Sequence, residues 1–133
     1  EGGKLSLNGL AGENAPLAVH DSCYLARHNG IIEAPRAALK AAGRTLVSVP
    51  REGGKAFCCG AGGGRMWLEE TIGDRINGIR AKELADTGAK TVATMCPFCM
   101  TMLVHGAKAN GDGTVETKDI AEIIASALPG ASA

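Results

Sequence analysis

The chain has 133 residues, enough for one domain with its own hydrophobic core. Its 14 Lys and Arg balance 14 Asp and Glu, and aromatics make up only 3%, which argues against nucleic acid or an anionic membrane as partners. No apolar run approaches the ~18 residues of a membrane span, and no signal peptide opens the chain.

Residues 1–14 are Gly-rich and weakly patterned, and the first residue is Glu1. We read them as a linker from a preceding domain, the domain proper as 15–130, and the chain as a fragment of a longer protein. Leu17-Ala18-Val19-His20 is a short apolar strand that ends in polar Asp21-Ser22. A helix is expected over 34–42, with Pro35 in its first turn and Gly43 as its stop. Residues 45–49 are a β-branched strand closed by Pro50, and 51–64 form a Gly-rich loop. Leu68, Ile72, Ile76, Ile79 and Leu84 suggest one long amphipathic helix over 66–87, closed by Gly88. Then come a strand over 91–95, a helix over 97–109, a strand over 115–117, and a helix capped by Asp119 that runs to Leu128. Strands alternating with helices imply crossover connections. The expected fold is α/β, a small Rossmann-like three-layer sandwich with a mostly parallel four-stranded sheet.

Five cysteines fall in three places on this map: Cys23, the adjacent pair Cys58-Cys59, and Cys96 with Cys99. Each place follows a strand, so all lie at the carboxyl edge of the sheet, where open parallel sheets build their sites. An odd thiol count without a secretion signal argues for a reducing compartment, the cytoplasm, rather than a disulfide framework. Neighbouring cysteines rarely pair with each other, because the ring they would close is strained.

Thiolates suit iron–sulfur clusters and zinc, and both readings stand here beside dithiol chemistry. Zinc takes four ligands and favours close knuckles, whereas 34 residues separate Cys23 from Cys58 and 36 separate Cys59 from Cys96. Pro97 makes Cys96 the expected N-cap and puts Cys99 in the first turn, where exposed amides favour a thiolate. At least one of these two thiols is therefore expected to ionise early in a metal-free chain.

Around the cysteines, the amides of Gly60, Gly62 and Gly63 are candidate donors to sulfur, and Arg65 is a candidate cap for an anionic group. His20 has three readings: a donor to sulfur, a proton carrier, or a core residue. Asp21 is expected to cap the following turn or to orient His20, and His28 and His105 to be surface residues. The Gly-rich loop lacks both the third glycine of a dinucleotide fingerprint and the Lys-Ser/Thr of a phosphate loop.

His20-Asp21-Ser22-Cys23-Tyr24, Phe57-Cys58-Cys59-Gly60-Ala61-Gly62-Gly63 and Cys96-Pro97-Phe98-Cys99 resemble the cysteine-rich CCG domain family. Relatives of that kind include a component of heterodisulfide reductase, the iron–sulfur subunit of glycolate oxidase, and lactate-utilisation proteins. Residues 65–70 and 94–99 look closest to iron–sulfur oxidoreductases associated with electron-transfer flavoproteins. The resemblance implies a [4Fe–4S] cluster, in some members non-cubane, on Cys23, Cys58, Cys59, Cys96 and Cys99; other members hold zinc or a simpler cluster. It also implies a second CCG unit and a ferredoxin-like domain elsewhere in the same protein, with this chain as the C-terminal unit. Electrons would pass between a flavoprotein partner and a quinone or disulfide acceptor, in the cytoplasm or at the membrane through other parts of the protein. The rival is a zinc-stapled structural or interaction domain without redox activity. Ser22 stands where the family more often has Pro, which loosens the turn before Cys23 but removes no ligand.

Overall fold

A computed structural model describes residue 7, residues 15–111 and residues 115–129. Leu7 aside, the expected linker lies outside the described residues. Four strands and four helices alternate along the chain: β1 (Leu17–Val19), α1 (Glu33–Ala41), β2 (Leu46–Val47), α2 (Ile76–Ala85), β3 (Thr91–Thr94), α3 (Pro97–Ala109), β4 (Glu116–Asp119) and α4 (Ile120–Ser126). The sheet order is β2-β1-β3-β4 and every pairing is parallel. Leu17 lies opposite Leu46 on one side and Thr91 on the other, so β1 is central.

Two-residue periodicity sorts the core into two faces. Leu17, Val19 and Ala93 pack with Leu39 of α1 and Ile123 of α4. Ala18 and Val92 face the other way, against Leu84 of α2 and Leu103 of α3. The result is the expected three-layer sandwich, with the helices paired α1 to α4 and α2 to α3. Asp119 closes a capping box with Glu122 and so starts α4 where the sequence indicates. Among the described residues, no helix is long and apolar enough to cross a membrane.

The long helix expected over 66–87 does not form. A 3₁₀ stretch covers Gly62–Trp67, Leu68 is extended, and α2 begins only at Ile76. Gly73 sits at φ +69, a left-handed conformation that ends any regular helix running through it. Leu68 and Ile72 are therefore 60% and 94% exposed, and their four-residue spacing from Ile76 carries no buried face. A π-helical turn over Tyr24–His28 and a 3₁₀ turn over Gly53–Lys55, neither foreseen, follow Cys23 and precede the cysteine pair.

Candidate metal centre

The strand order reverses between β1 and β3, and this switch point is where ligands bind in such sheets. Cys23 follows β1 and Cys96 follows β3, so both stand at the crevice. The chain leaving β2 brings Cys58 and Cys59 to the same place. Asp21 anchors that segment: its carboxylate accepts Gly53 N–H at 2.6 Å and two N–H groups of Arg36 at 2.7 and 2.9 Å. Arg27 also donates to the Ala56 carbonyl, just before Phe57. Asp21 thus spends its hydrogen bonds not on a turn cap but on tying the cysteine loop to the end of β1. Burial pushes its carboxyl up, but Arg36 and the Gly53 amide outweigh this and hold it below the usual carboxylate range.

All five cysteines line one cleft of about 370 Å³, together with Tyr24, Met66, Trp67 and Phe98. That is more than ten times the ~30 Å³ share of a single water molecule. Cys59 and Cys99 are buried at its floor, Cys58 and Cys96 are half-buried, and Cys23 is exposed at its rim. All five are free thiols. The deepest group is His20, Cys59 and Cys99, whose ligand atoms lie within 4.8 Å of one another.

The two floor sulfurs act on each other in opposite directions. The Cys99 thiol donates to Cys59 and lowers its pKa, burial opposes this, and His20 and the Ala61 N–H add to the lowering. Cys99 is correspondingly raised, by its bond to Cys59, by burial, and by the charges of Cys59 and Cys96. This corrects the expectation for Cys99. Pro97 does open α3 and Cys96 is its N-cap, yet at Cys99 burial and the neighbouring thiolate outweigh the helix dipole.

The other expected donors divide. Gly60 N–H donates to Cys58 Sγ at 3.3 Å. Gly62 lines the cleft without a bond to sulfur, and Gly63 is exposed away from it. Arg65 is paired with Glu70, Nε to Oε1 at 2.6 Å. His28 and His105 are exposed, as expected.

Sequence reasoning passed over Arg80. This arginine is fully buried on α2 and donates from Nε to His20 Nδ1 at 3.1 Å. Arg80 stands four residues from both Ile76 and Leu84, and an arginine on that apolar face is the signal of a polar partner beneath it.

A Rossmann-like α/β domain whose switch point gathers five thiols offers a donor set of the kind that suits a thiolate-bound metal or cluster. The model of the CCG family, a cysteine-rich domain, matches residues 17–104, and the chain belongs to that family. Similar proteins include the EtfAB:quinone oxidoreductase of Syntrophomonas wolfei, 41% identical over 94% of this chain and 19% of that protein. The probable iron–sulfur-binding oxidoreductase FadF of Bacillus subtilis is 42% identical over 86% of the chain and 17% of its own length. One component of the dihydromethanophenazine:CoB–CoM heterodisulfide reductase of Methanosarcina barkeri is 36% identical over 86% and 28%. The chain thus spans 17% to 28% of the length of these curated relatives. No solved structure matches it significantly.

Proposed function

We propose that the chain is an iron–sulfur electron-transfer module of a larger oxidoreductase, with Cys23, Cys58, Cys59, Cys96 and Cys99 as cluster ligands. The observation that carries this reading is the convergence of all five thiols on one cleft. The donor set fits: soft sulfur ligands, a floor thiol held well below its usual pKa, and backbone amides directed at Cys58 and Cys59. When bound, the cluster supplies one-electron storage at a potential that the protein sets. The chain's own part is to hold the thiolates, donate hydrogen bonds to them, and shield the floor from water.

The relatives' names support a flavoprotein donor such as an electron-transfer flavoprotein, and a quinone or disulfide acceptor. The ligand set supports a [4Fe–4S] cluster, cubane or non-cubane. In the whole protein, a second CCG unit and a ferredoxin-like domain would carry electrons onward. Residues 1–14 would join this C-terminal unit to them, in the cytoplasm or held at a membrane by other parts. The isolated chain would have no turnover of its own.

Zinc is the rival, and two facts weigh against it. A tetrahedral site uses four ligands and would strand one of five thiols. His20, the nitrogen donor nearest the floor, already uses Nδ1 to accept from Arg80. Anaerobic purification with iron and acid-labile sulfide analysis tests the reading, and zinc alone would overturn it. Cys58→Ser and Cys59→Ser should each lose or convert the cluster; full metal content in either variant would favour zinc.

A further inference from the structure

Behind the cysteines runs a chain of hydrogen-bonded side chains, centred on the buried Arg80, that their spacing does not foretell. Arg80 gives Nη1 to Glu83 Oε2 at 2.6 Å and to the Arg51 carbonyl at 3.1 Å, and gives Nε to His20 Nδ1. Glu83 also binds Arg51 at 2.8 Å, and Arg51 lies over the Phe57 ring beside the cysteine pair, 3.8 Å from its centroid. A ring nitrogen that accepts a hydrogen bond carries no proton, so the proton of His20 sits on Nε2. A ligand nitrogen of the imidazole lies within 4.8 Å of the Cys59 and Cys99 sulfurs, and Nε2–H is the one N–H the ring has left to offer them.

A ligating histidine needs the opposite arrangement, a lone pair on the metal and an N–H on its other nitrogen. Here that other nitrogen faces the Nε–H of Arg80, so ligation through Nε2 would set two donors against each other. A packing role does not account for Arg80 either. Its Nη2 is buried without a partner, a desolvation cost that an apolar side chain of similar length would avoid.

We propose that Arg80 and His20 are positioning residues. Arg80 locks the imidazole as an Nε2–H donor to the Cys59 sulfur, which keeps His20 out of the ligand set and raises the reduction potential of the bound cluster. The direction follows from charge. An N–H directed at a ligand sulfur stabilises the electron-rich reduced state more than the oxidised one. The part concerning potential rests on the iron–sulfur reading; the part concerning the tautomer does not.

The test uses the full chain loaded anaerobically with iron and sulfide, and His20→Gln, His20→Ala and Arg80→Lys beside the wild type. His20→Ala should keep wild-type iron and sulfide content while its midpoint potential shifts to a more negative value. His20→Gln, whose amide restores an N–H, should recover at least part of that shift. Arg80→Lys should also move the potential down, because the Nε–H that orients the ring is gone. Loss of iron in His20→Ala with thermal stability retained would make His20 a ligand and overturn the proposal, as would an unchanged potential.

A separate readout needs no variant to fold. The ¹⁵N spectrum of the His20 imidazole, in the metal-free or zinc-loaded wild-type chain, should show the Nε2–H tautomer; the Nδ1–H tautomer would overturn the proposal. Wild-type protein that takes up only zinc would sink the iron–sulfur reading, and the tautomer would still decide the role of Arg80.

Discussion

Gly106 lies in α3 where that helix crosses α2, and a Cβ placed there would stand 2.4 Å from the Asn77 carbonyl oxygen and 3.1 Å from Ala81 Cβ. Gly106→Ala therefore forces the helices apart by about 1 Å to regain the ~3.5 Å of ordinary contact. Overpacking of this kind costs about 1–3 kcal/mol. The same displacement stretches the buried bond from Asn77 Nδ2 to the Met102 carbonyl, 3.1 Å long, for a loss of about 1 kcal/mol. Alanine returns about 1 kcal/mol of helix propensity. The net is a loss of about 2 kcal/mol, or roughly 5–10 °C in Tm for a domain of this size.

Gly78→Ala is the control. It sits in α2, and its nearest neighbour to a new Cβ is Asn110 Oδ1 at 3.4 Å, an ordinary contact. The propensity gain then stands alone, and this variant should be more stable by up to about 1 kcal/mol. Thermal and urea denaturation of the metal-free chains read both. Two variants of one chemistry should move in opposite directions, and a Gly106→Ala chain as stable as wild type would refute the described α2–α3 approach.

Gly60→Ala should cost about 1–3 kcal/mol and lower metal retention, since Gly60 sits at φ +86 with Ile76 Cβ only 3.1 Å from a new methyl; calorimetry and metal analysis check both. Asp21 and Glu83 have folded pKa values below their unfolded ones, near ~4. At Glu83, burial raises the carboxyl but Arg51 and Arg80 outweigh it. The stability they contribute is complete above the unfolded values and disappears as pH falls through the lower folded ones, so the metal-free chain should lose stability below about pH 4. Asp21→Asn should remove part of that acid dependence and cost about 1–3 kcal/mol by taking a carboxylate from Arg36, which keeps the Ile32 carbonyl and Glu52, and from the Gly53 amide; urea melts against pH would expose either failure. Trp67 is the single tryptophan and lines the cleft. Its emission should be quenched by iron and sulfide loading and left near the metal-free level by zinc, and unquenched emission in an iron-loaded chain would place the cluster elsewhere.

Periodicity and punctuation in the sequence were enough for much of this protein. β-branched runs ending in Pro50, the Pro97 start and the Asp119 cap locate strands and helices, because those signals act within a few residues. With strands alternating with helices, the parallel sheet follows, and so does the placement of all five cysteines on its carboxyl edge. The motifs alone indicated the family.

Pairings across tens of residues were decided only in three dimensions. Leu68, Ile72 and Ile76 keep helical spacing, yet the left-handed Gly73 breaks the run, and nothing local reveals that the first two face solvent. Asp21 meets Gly53 and Arg36, not the turn beside it, because the β1 end and the cysteine loop converge at the switch point. The Cys59 thiol is lowered and the Cys99 thiol raised, since burial and the contact between them outweigh a helix terminus at Cys99. His20 becomes a donor through Arg80, 60 residues away, a contact made when α2 crosses the sheet. Local chemistry marks which side chains can act, and only the packing of helices on the sheet decides which of them meet.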